Sequence, residues 1–145
     1  MRVLLDTNVI VDVLQQREPW FNSGKQLFLA VANEQIIGCL TSKQVADIHF
    51  FSRKQFKGED NVDEKARGIV TKIMTIFEVI DTLGIDCQNA IAIKNNDYED
   101  AIMIASASRY EVDCIITRNP EHFQISQIPV YSPDDFLLRY PEFTG

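Results

Sequence analysis

Hydrophobic residues in this chain form short continuous runs, and the segments between the runs show helical periodicity. The apolar runs predict buried strands at residues 2–5, 36–40, 77–80, 114–117 and 129–131. Apolar residues spaced three or four positions apart predict the helices, at 9–14, from Asn22 or Ser23, after Thr41 or Ser42, at 64–76, 85–94 and 97–109, and from Ser132-Pro133. Because strands alternate with helices, the pattern predicts an α/β fold with a mostly parallel central sheet covered on both faces.

Polar residues at the starts of the predicted helices are candidate caps. Thr7 or Asn8 can cap the first helix, and Ser132 followed by proline is typical of a helix start. Asp97 is followed three positions later by Asp100, a spacing close to a capping box. Residues 57–63 read as a polar loop between two helices, and Asn95-Asn96 as the end of a helix.

The composition is that of a globular protein. The chain has 145 residues, of which 46% are hydrophobic and 24% charged, so residues 1–145 are expected to form one domain with a real core. No apolar run approaches the ~20 residues that span a bilayer, and the N-terminus lacks signal-peptide features, so we expect a cytoplasmic protein. The three cysteines, Cys39, Cys87 and Cys114, are far apart in apolar sequence, which favours reduced buried thiols.

The net charge of −7 bears on the choice of partner. Proteins that bind nucleic acid through broad phosphate neutralisation are usually basic, and this chain is acidic. Either it does not bind nucleic acid, or its acids are concentrated in one site while a local basic rim binds phosphates. The charge by itself favours the first interpretation.

Polar residues occur where the predicted strands end. Asp6 ends the first strand, Asn119 follows the strand at 114–117, and Asp100 lies in the first turn of the helix that begins at Asp97. Asp47 lies near the start of the helix that follows the second strand. Since ligand sites in open parallel sheets gather at the carboxyl ends of the strands, we expect these side chains to share one crevice.

Each of these residues also has a purely structural interpretation. Asp6 fits a turn or a helix cap about as well as a site, and for Asp97 a cap is the better interpretation. Asn119 can close a turn before Pro120, and Glu99 lies about 100° around the helix from Asp100, so it is expected to be solvated. Asp47 is harder to explain structurally, because it lies too far past Ser42 to act as a cap.

Taken together, the acids favour a metal site. Clustered carboxylates repel one another, and one of them becomes protonated unless a cation neutralises the cluster. Oxygen ligands without a Cys or His partner suit Mg²⁺ or Mn²⁺, and such a site fits phosphoryl chemistry. The sequence contains no GxxxxGK[ST] loop, no GxGxxG and no GxSxG elbow, and His49 and His122 do not have a zinc-ligand spacing.

Four segments in order resemble the PIN domain family, the nuclease fold of VapC-type toxins. These segments are VLLDTNVIVDVL, TSKQVADIHFFSRK, DYEDAIMIASA and CIITRNPEHF, and YSPDDFL resembles the tail of one PIN subfamily. The resemblance spans essentially the whole chain. It implies a three-layer α/β/α sandwich, metal-dependent cleavage of RNA, homodimers, and inhibition by a small antitoxin protein.

The resemblance also implies roles for particular residues. Asp6, Asp47 and Asp100 are the expected ligands of Mg²⁺ or Mn²⁺, with Asp97 as an additional ligand, and Asn119 completes the catalytic group. Residues expected to support the acids are Thr7, Asn8 and Thr117. Asn119 stands where many relatives carry Asp, which removes one negative charge and argues against a second metal. Asp47 is one methylene shorter than the Glu of many relatives, which alters its reach or favours contact with the metal through water.

An RNA-binding rim would reconcile the acidic net charge with an RNA substrate. The basic residues expected to form it are Lys43, Arg53, Lys54, Lys57 and Arg118. FFSRKQFKG interleaves aromatic with basic residues, which suits RNA stacking, although packing of Phe50, Phe51 and Phe56 in a core or dimer interface is the more common use.

Two other functions stay open. One is a PIN-like module that binds RNA or a protein without turnover, which Asn119 and the acidic charge favour. The other is a metal-dependent phosphatase of small phosphoesters, which the absence of a DxDxT-type motif disfavours.

Overall fold

A parallel β-sheet forms the framework of the molecule in this computed structural model, which describes residues 1–94, 97–123 and 126–144. Its strands are β1 (Arg2–Leu5), β2 (Ile37–Thr41), β3 (Glu78–Ile80), β4 (Cys114–Ile116) and β5 (Val130–Tyr131). They lie in the order β3-β2-β1-β4-β5, and every neighbouring pair is parallel. The prediction of a mostly parallel sheet is therefore confirmed, with each strand within one residue of its predicted bounds.

Strand β1 is in the middle of the sheet and faces a core on each side. Val3 and Leu5 point into one apolar cluster, and Leu4 points into the other, because successive side chains of a strand alternate between faces. All three are completely buried. This is why residues 2–5 read as a continuous apolar run rather than as an alternating one.

Helices cover both faces, as predicted, and complete the α/β/α sandwich. They are α1 (Thr7–Leu14), α2 (Phe21–Ala32), α3 (Ser42–Gln55), α4 (Val62–Ile76), α5 (Gly84–Ala92), α6 (Tyr98–Arg109) and α7 (Pro133–Arg139), with 3₁₀ turns at Pro120–Phe123 and Pro141–Phe143. The first cluster contains residues of α1, α2, α4 and α7, and the second contains residues of α6 and the first 3₁₀ turn.

Two predicted helix starts are wrong. Helix α1 is capped by Asp6, whose side chain accepts from the Thr7 backbone N–H, and not by Thr7 or Asn8. Helix α2 begins at Phe21 after Trp20, which makes no side-chain capping bond, so neither Asn22 nor Ser23 is its cap. The other caps are confirmed: Thr41 forms a capping box with Gln44, and Asp97 and Ser132 cap α6 and α7.

The remaining differences are small. Helix α4 begins at Val62 rather than at 64, which shortens the polar loop, and α5 runs over Gly84–Ala92. The helix end predicted at Asn95-Asn96 lies outside the described residues. All three cysteines are free, and Cys39 and Cys114 are buried as expected, whereas Cys87 is partly exposed. Within the described residues, no helix has the length and apolar character needed to cross a membrane.

Candidate active site

A cleft of about 480 Å³ opens at the carboxyl edge of the sheet, where β1, β2 and β4 end. Most of the residues predicted to form a site line it: Asp6, Thr7, Asn8, Lys43, Asp47, Asp97, Asp100, Arg118 and Asn119. Thr117 lies fully buried beneath Asp6, and Arg53 and Lys54 lie outside the cleft in an adjoining groove. The expectation that the strand ends share one crevice is therefore confirmed.

Asp6 is the buried acid at the base of the cleft, with 9% of its surface exposed. Its Oδ1 accepts from the Thr7 backbone N–H at 2.7 Å, and its Oδ2 accepts from the Thr117 hydroxyl at 2.7 Å. Burial raises the pKa of Asp6, although both hydrogen bonds and the charge of Arg118 oppose that rise. Asp6 thus acts as a helix cap and also presents a carboxylate to the cleft.

Asp100 faces Asp6 from the first turn of α6. Burial, together with the negative charges of Asp6 and Asp97, raises the pKa of Asp100 to about 6. Asp97, the exposed cap of the same helix, accepts from the backbone N–H groups of Glu99 and Asp100 at 2.8 and 3.2 Å. Ionisation of Asp100 is therefore unfavourable in the cleft, because its carboxylate is partly buried and lies near two other carboxylates.

Asp47 lies on α3 and is paired with a lysine of its own helix. Lys43 Nζ is 2.7 Å from Asp47 Oδ2 and 3.2 Å from Glu99 Oε1. Burial lowers the pKa of Lys43, but the two carboxylates outweigh that effect and raise it. Lys43 thus bridges α3 and α6 across the cleft. Glu99 lines the cleft with its side chain 70% exposed, so the prediction of a solvated residue is confirmed.

Polar contacts beneath the cleft fix the start of α3 against β1. The buried Gln44 side chain donates to the Leu5 carbonyl at 2.7 Å and accepts from the Thr41 backbone N–H at 2.7 Å. It also lies 3.3 Å from the Thr7 hydroxyl, so that hydroxyl contacts an amide rather than an acid. Asn8 Oδ1 accepts from the Arg118 backbone N–H at 3.4 Å, which ties α1 to the segment after β4.

Arg118, predicted to bind RNA, already has partners at the cleft edge. Its guanidinium carbon lies 4.0 Å from the centre of the Trp20 ring, and its Nε is 3.6 Å from Asp12 Oδ2. Asp12 is 1% exposed, and neither of its carboxylate oxygens has a hydrogen-bond partner among the described residues. Burial raises the pKa of Asp12, opposed by the charges of Arg118 and Arg17.

The donor atoms at the cleft suit a hard divalent cation. Asp6, Asp47, Asp97, Asp100 and Asn119 offer carboxylate and amide oxygens, and a cation would relieve the repulsion that raises the pKa of Asp100. Within the described ranges, however, no three acidic, His or Cys side chains stand close enough together to hold one ion as they are. The residues therefore offer the ligand atoms that a divalent cation prefers. Asp47 is paired with Lys43 rather than placed beside the other acids.

Sequence reasoning missed several residues of this site. Asp12 and Gln44 lie in helical segments whose patterns gave no sign that these polar side chains would be buried, and Arg17 and His122 also line the cleft. Only the pairing of Lys43 with Asp47 could have been expected, since the two lie four positions apart on a predicted helix.

Comparison with known proteins identifies the family. A PIN domain family model matches residues 2–121, and no curated protein sequence matches the chain. FitAcB from Neisseria gonorrhoeae is similar, with a TM-score of 0.70 and 18% identity over 90% of this chain and 97% of that one. A toxin–antitoxin complex from Klebsiella pneumoniae gives a TM-score of 0.64 and 21% identity over 90% and 97% of the two chains.

VapC20 from Mycobacterium tuberculosis, described as a sarcin-ricin loop cleaving toxin, gives a TM-score of 0.59 and 8% identity over 78% of this chain and 86% of that one. At these identities the structural likeness is one of fold. The family model, in contrast, covers most of the sequence and includes the strands and helices that build the cleft. This protein therefore belongs to the PIN domain family.

Proposed function

We propose that this protein is a metal-dependent endoribonuclease that hydrolyses RNA phosphodiester bonds, and that it is the toxin of a type II toxin–antitoxin pair. The observation that carries the proposal is the convergence of Asp6, Asp47, Asp100 and Asn119 on one cleft from four separate parts of the chain. The family supports it, as does the fold shared with a toxin that cleaves the sarcin-ricin loop.

The ion in this proposal is Mg²⁺ or Mn²⁺, held by Asp6, Asp47 and Asp100, with Asp97 as an additional ligand. When bound, such an ion neutralises the acids, polarises the phosphodiester and lowers the pKa of a water. Asn119 supplies a neutral oxygen where an acid would add charge. Because Asp47 is paired with Lys43, metal binding requires Lys43 to give up that contact.

The chain's own residues orient the acids. Thr117 and the Thr7 backbone N–H hold the two oxygens of Asp6, so its carboxylate has one orientation. Gln44 holds the start of α3 against β1 and thereby fixes the position of Asp47 relative to Asp6. Preorganisation of this kind lowers the reorganisation that the site needs during reaction.

Cations at the cleft edge receive the RNA backbone in this proposal. Lys43 and Arg118 line the cleft and are both ion-paired, so a phosphate would replace acidic partners that they already have. Arg53 and Lys54 lie further along α3 in the adjoining groove. Part of the net charge of −7 comes from acids in the cleft, which bind the metal in this proposal. The acidic net charge is therefore compatible with an RNA substrate.

A cognate antitoxin, a homodimer and a cytoplasmic location complete the proposal. The antitoxin is supported by similar folds that were solved as complexes, including VapBC2 from Rickettsia felis bound to a fragment of promoter DNA. The homodimer and the location rest on the family resemblance. An antitoxin would act by covering the cleft or by supplying a group that competes for its acids.

A second candidate is a PIN module that binds RNA without cleaving it. The observation that favours it is the 2.7 Å contact between Lys43 Nζ and Asp47, which neutralises the second acid. In this case Mg²⁺ would raise the melting temperature without producing any cleavage, and Lys43→Met would not create activity.

RNA cleavage by purified protein tests the proposal. We would compare Mg²⁺, Mn²⁺ and EDTA, and wild type with Asp6→Asn and Asp100→Asn. Asp135→Asn is the matched control, because Asp135 occupies the same third helical position in α7 that Asp100 occupies in α6, far from the cleft. We expect cleavage that requires metal, disappears in the two cleft variants and persists in the control.

Two outcomes would contradict the proposal, and a third would expose a contaminating nuclease. Absence of cleavage across transfer, messenger and ribosomal RNA, by protein shown to be free of bound inhibitor, would favour the binding module. Hydrolysis of a generic phosphomonoester without action on RNA would favour the phosphatase. Cleavage that survives in Asp6→Asn and Asp100→Asn would show a contaminating nuclease.

A further inference from the structure

Phe50 is an exposed aromatic side chain at the edge of the cleft. It is 57% exposed and lies on α3 three residues after Asp47, about 4.5 Å further along the helix axis. Its ring contacts Phe51 edge to face, with centroids 5.7 Å apart, and Phe51 also lines the cleft. Phe50 therefore presents an exposed aromatic side chain beside the acids.

A basic groove of about 410 Å³ begins on the other side of Phe50. Its lining residues are Phe50, Arg53, Lys54, Lys57, Gly58 and Val62. Phe50 lines both the cleft and the groove, so the two adjoin at this residue. Lys54 Nζ lies over the Phe50 ring, 5.3 Å from its centre, which places a cation against one aromatic face.

The three cations of this groove are not neutralised. In the part of the chain that the structure describes, Arg53, Lys54 and Lys57 form no ion pair, whereas Lys43 and Arg118 in the cleft do. Two acids of the neighbouring segment, Glu59 and Asp63, have other partners. Glu59 pairs with Lys65, and Asp63 pairs with His49 and Arg67.

We propose that Phe50 is a stacking platform for an unpaired base next to the cleavage site, and that Arg53, Lys54 and Lys57 bind the phosphates that follow it. The proposal rests on the proposed ribonuclease function and adds the residues that bind the strand where it leaves the cleft. A base inside a duplex is already stacked on both faces and would not offer a free face to Phe50.

The arrangement matches what single-stranded RNA needs. Sequence-tolerant binding combines aromatic rings, on which bases stack, with a positive groove that follows the backbone. Cations in the last turn of a helix also favour its dipole, which explains Arg53 and Lys54 individually. That effect does not explain an exposed phenylalanine, nor Lys57, which lies beyond the end of the helix.

Binding of labelled RNA in EDTA tests the platform without cleavage. We would measure fluorescence anisotropy with a single strand of about 12 nucleotides and with its duplex. Phe50→Ala should weaken single-strand binding about tenfold, Phe50→Trp should retain it within about twofold, and duplex binding should be unchanged by either. Lys54→Gln should reduce the slope of log K against log salt by about 0.7.

Leu138→Ala is the control for removing an exposed apolar side chain, since Leu138 is 79% exposed on α7. Thermal unfolding and light scattering would accompany each variant. Equal single-strand binding by Phe50→Ala and wild type would overturn the platform, as would a Phe50→Leu variant that binds like wild type. A change of oligomeric state in Phe50→Ala would instead assign this face to contact between copies.

The Phe50 platform and the ribonuclease function on which it rests can fail separately. If wild type cuts RNA with metal and Phe50→Ala cuts and binds equally well, only the platform is wrong. If wild type neither binds nor cuts RNA, both are wrong.

Discussion

Replacing Asp100 with asparagine should make the metal-free protein more stable at neutral pH while abolishing its activity. The Asp100 carboxyl is half-buried and faces the charges of Asp6 and Asp97, so ionising it is unfavourable in the folded state. The unfolded chain has no such penalty. Asparagine keeps the shape of the side chain and removes the charge.

The magnitude follows from the pKa. A rise from 3.8 to about 6 corresponds to about 3 kcal/mol of unfavourable interaction when the group is ionised. Because Asp100 is partly exposed, solvent screening reduces the expected gain in the free energy of unfolding to about 1–2 kcal/mol. For a domain of this size, that gain corresponds to an increase of about 3–6 °C in melting temperature.

The gain should depend on pH with a definite sign. Well below pH 3.8 the carboxyl is protonated in both the folded and the unfolded state, so wild type and Asp100→Asn should be equally stable. The difference should open as the pH rises from 3.8, where the unfolded chain ionises, to about 6, where the folded protein ionises, and it should stay at its full size above that pH. Added Mg²⁺ should stabilise wild type more than the variant, because binding to the folded state adds to its stability.

Urea unfolding in EDTA from pH 4 to pH 8 measures the effect. Asp135→Asn is the control, and its loss of a favourable helix-dipole interaction should lower stability by up to about 1 kcal/mol. If Asp100→Asn is no more stable than wild type at pH 8, or if the difference is the same at pH 4 and pH 8, the Asp100 charge is not the unfavourable group described above.

Three further changes test the polar contacts around the cleft and helix α5. Arg118→Gln should lower the free energy of unfolding by about 1–3 kcal/mol at pH 8, because the buried Asp12 carboxylate then keeps only Arg17, 3.8 Å away, as an ion-pair partner. Adding Asp12→Asn should restore most of that loss, which urea unfolding of the double mutant measures. Asp86→Ala should lower the free energy of unfolding by about 3–5 kcal/mol, because Arg109 loses its bidentate partner. Arg109 holds the pKa of Asp86 low, so wild type should lose this contribution as the pH falls below the ordinary pKa of Asp. Acid titration of the circular dichroism signal measures that loss. Gln44→Leu should lower the melting temperature and reduce any cleavage, because the Leu5 carbonyl is left without a donor, at about 1–3 kcal/mol.

Much of the fold follows from patterns that act locally. Buried parallel strands must be continuously apolar, so residues 2–5 and 114–117 could be recognised without knowing their neighbours. Asp6, Asp100 and Asn119 could be grouped because parallel strands end at the same edge of a sheet. The start of α2 could not be recognised, because Trp20 provides no side-chain cap from which a boundary can be read.

The missed residues depend on contacts that are distant in sequence. Asp12 is buried beside Arg118, which lies more than a hundred positions later in the chain, just after β4. Gln44 is buried because its amide reaches the end of β1. The hydrophobic periodicity of α1 and α3 contains no information about these distant partners. A polar residue on an amphipathic helix is therefore expected to face solvent.

The central position of β1 has a consequence for how the protein is made. The first strand to leave the ribosome is the one that pairs with β2 and with β4, and the Asp6 backbone N–H donates to the Ile116 carbonyl at 2.8 Å. The hydroxyl that orients Asp6 belongs to Thr117, 111 residues downstream. A nascent chain can form its early helices but cannot complete the cleft until translation has passed β4. Synthesis of the protein and assembly of its acidic centre are therefore separated in time by most of the length of the chain.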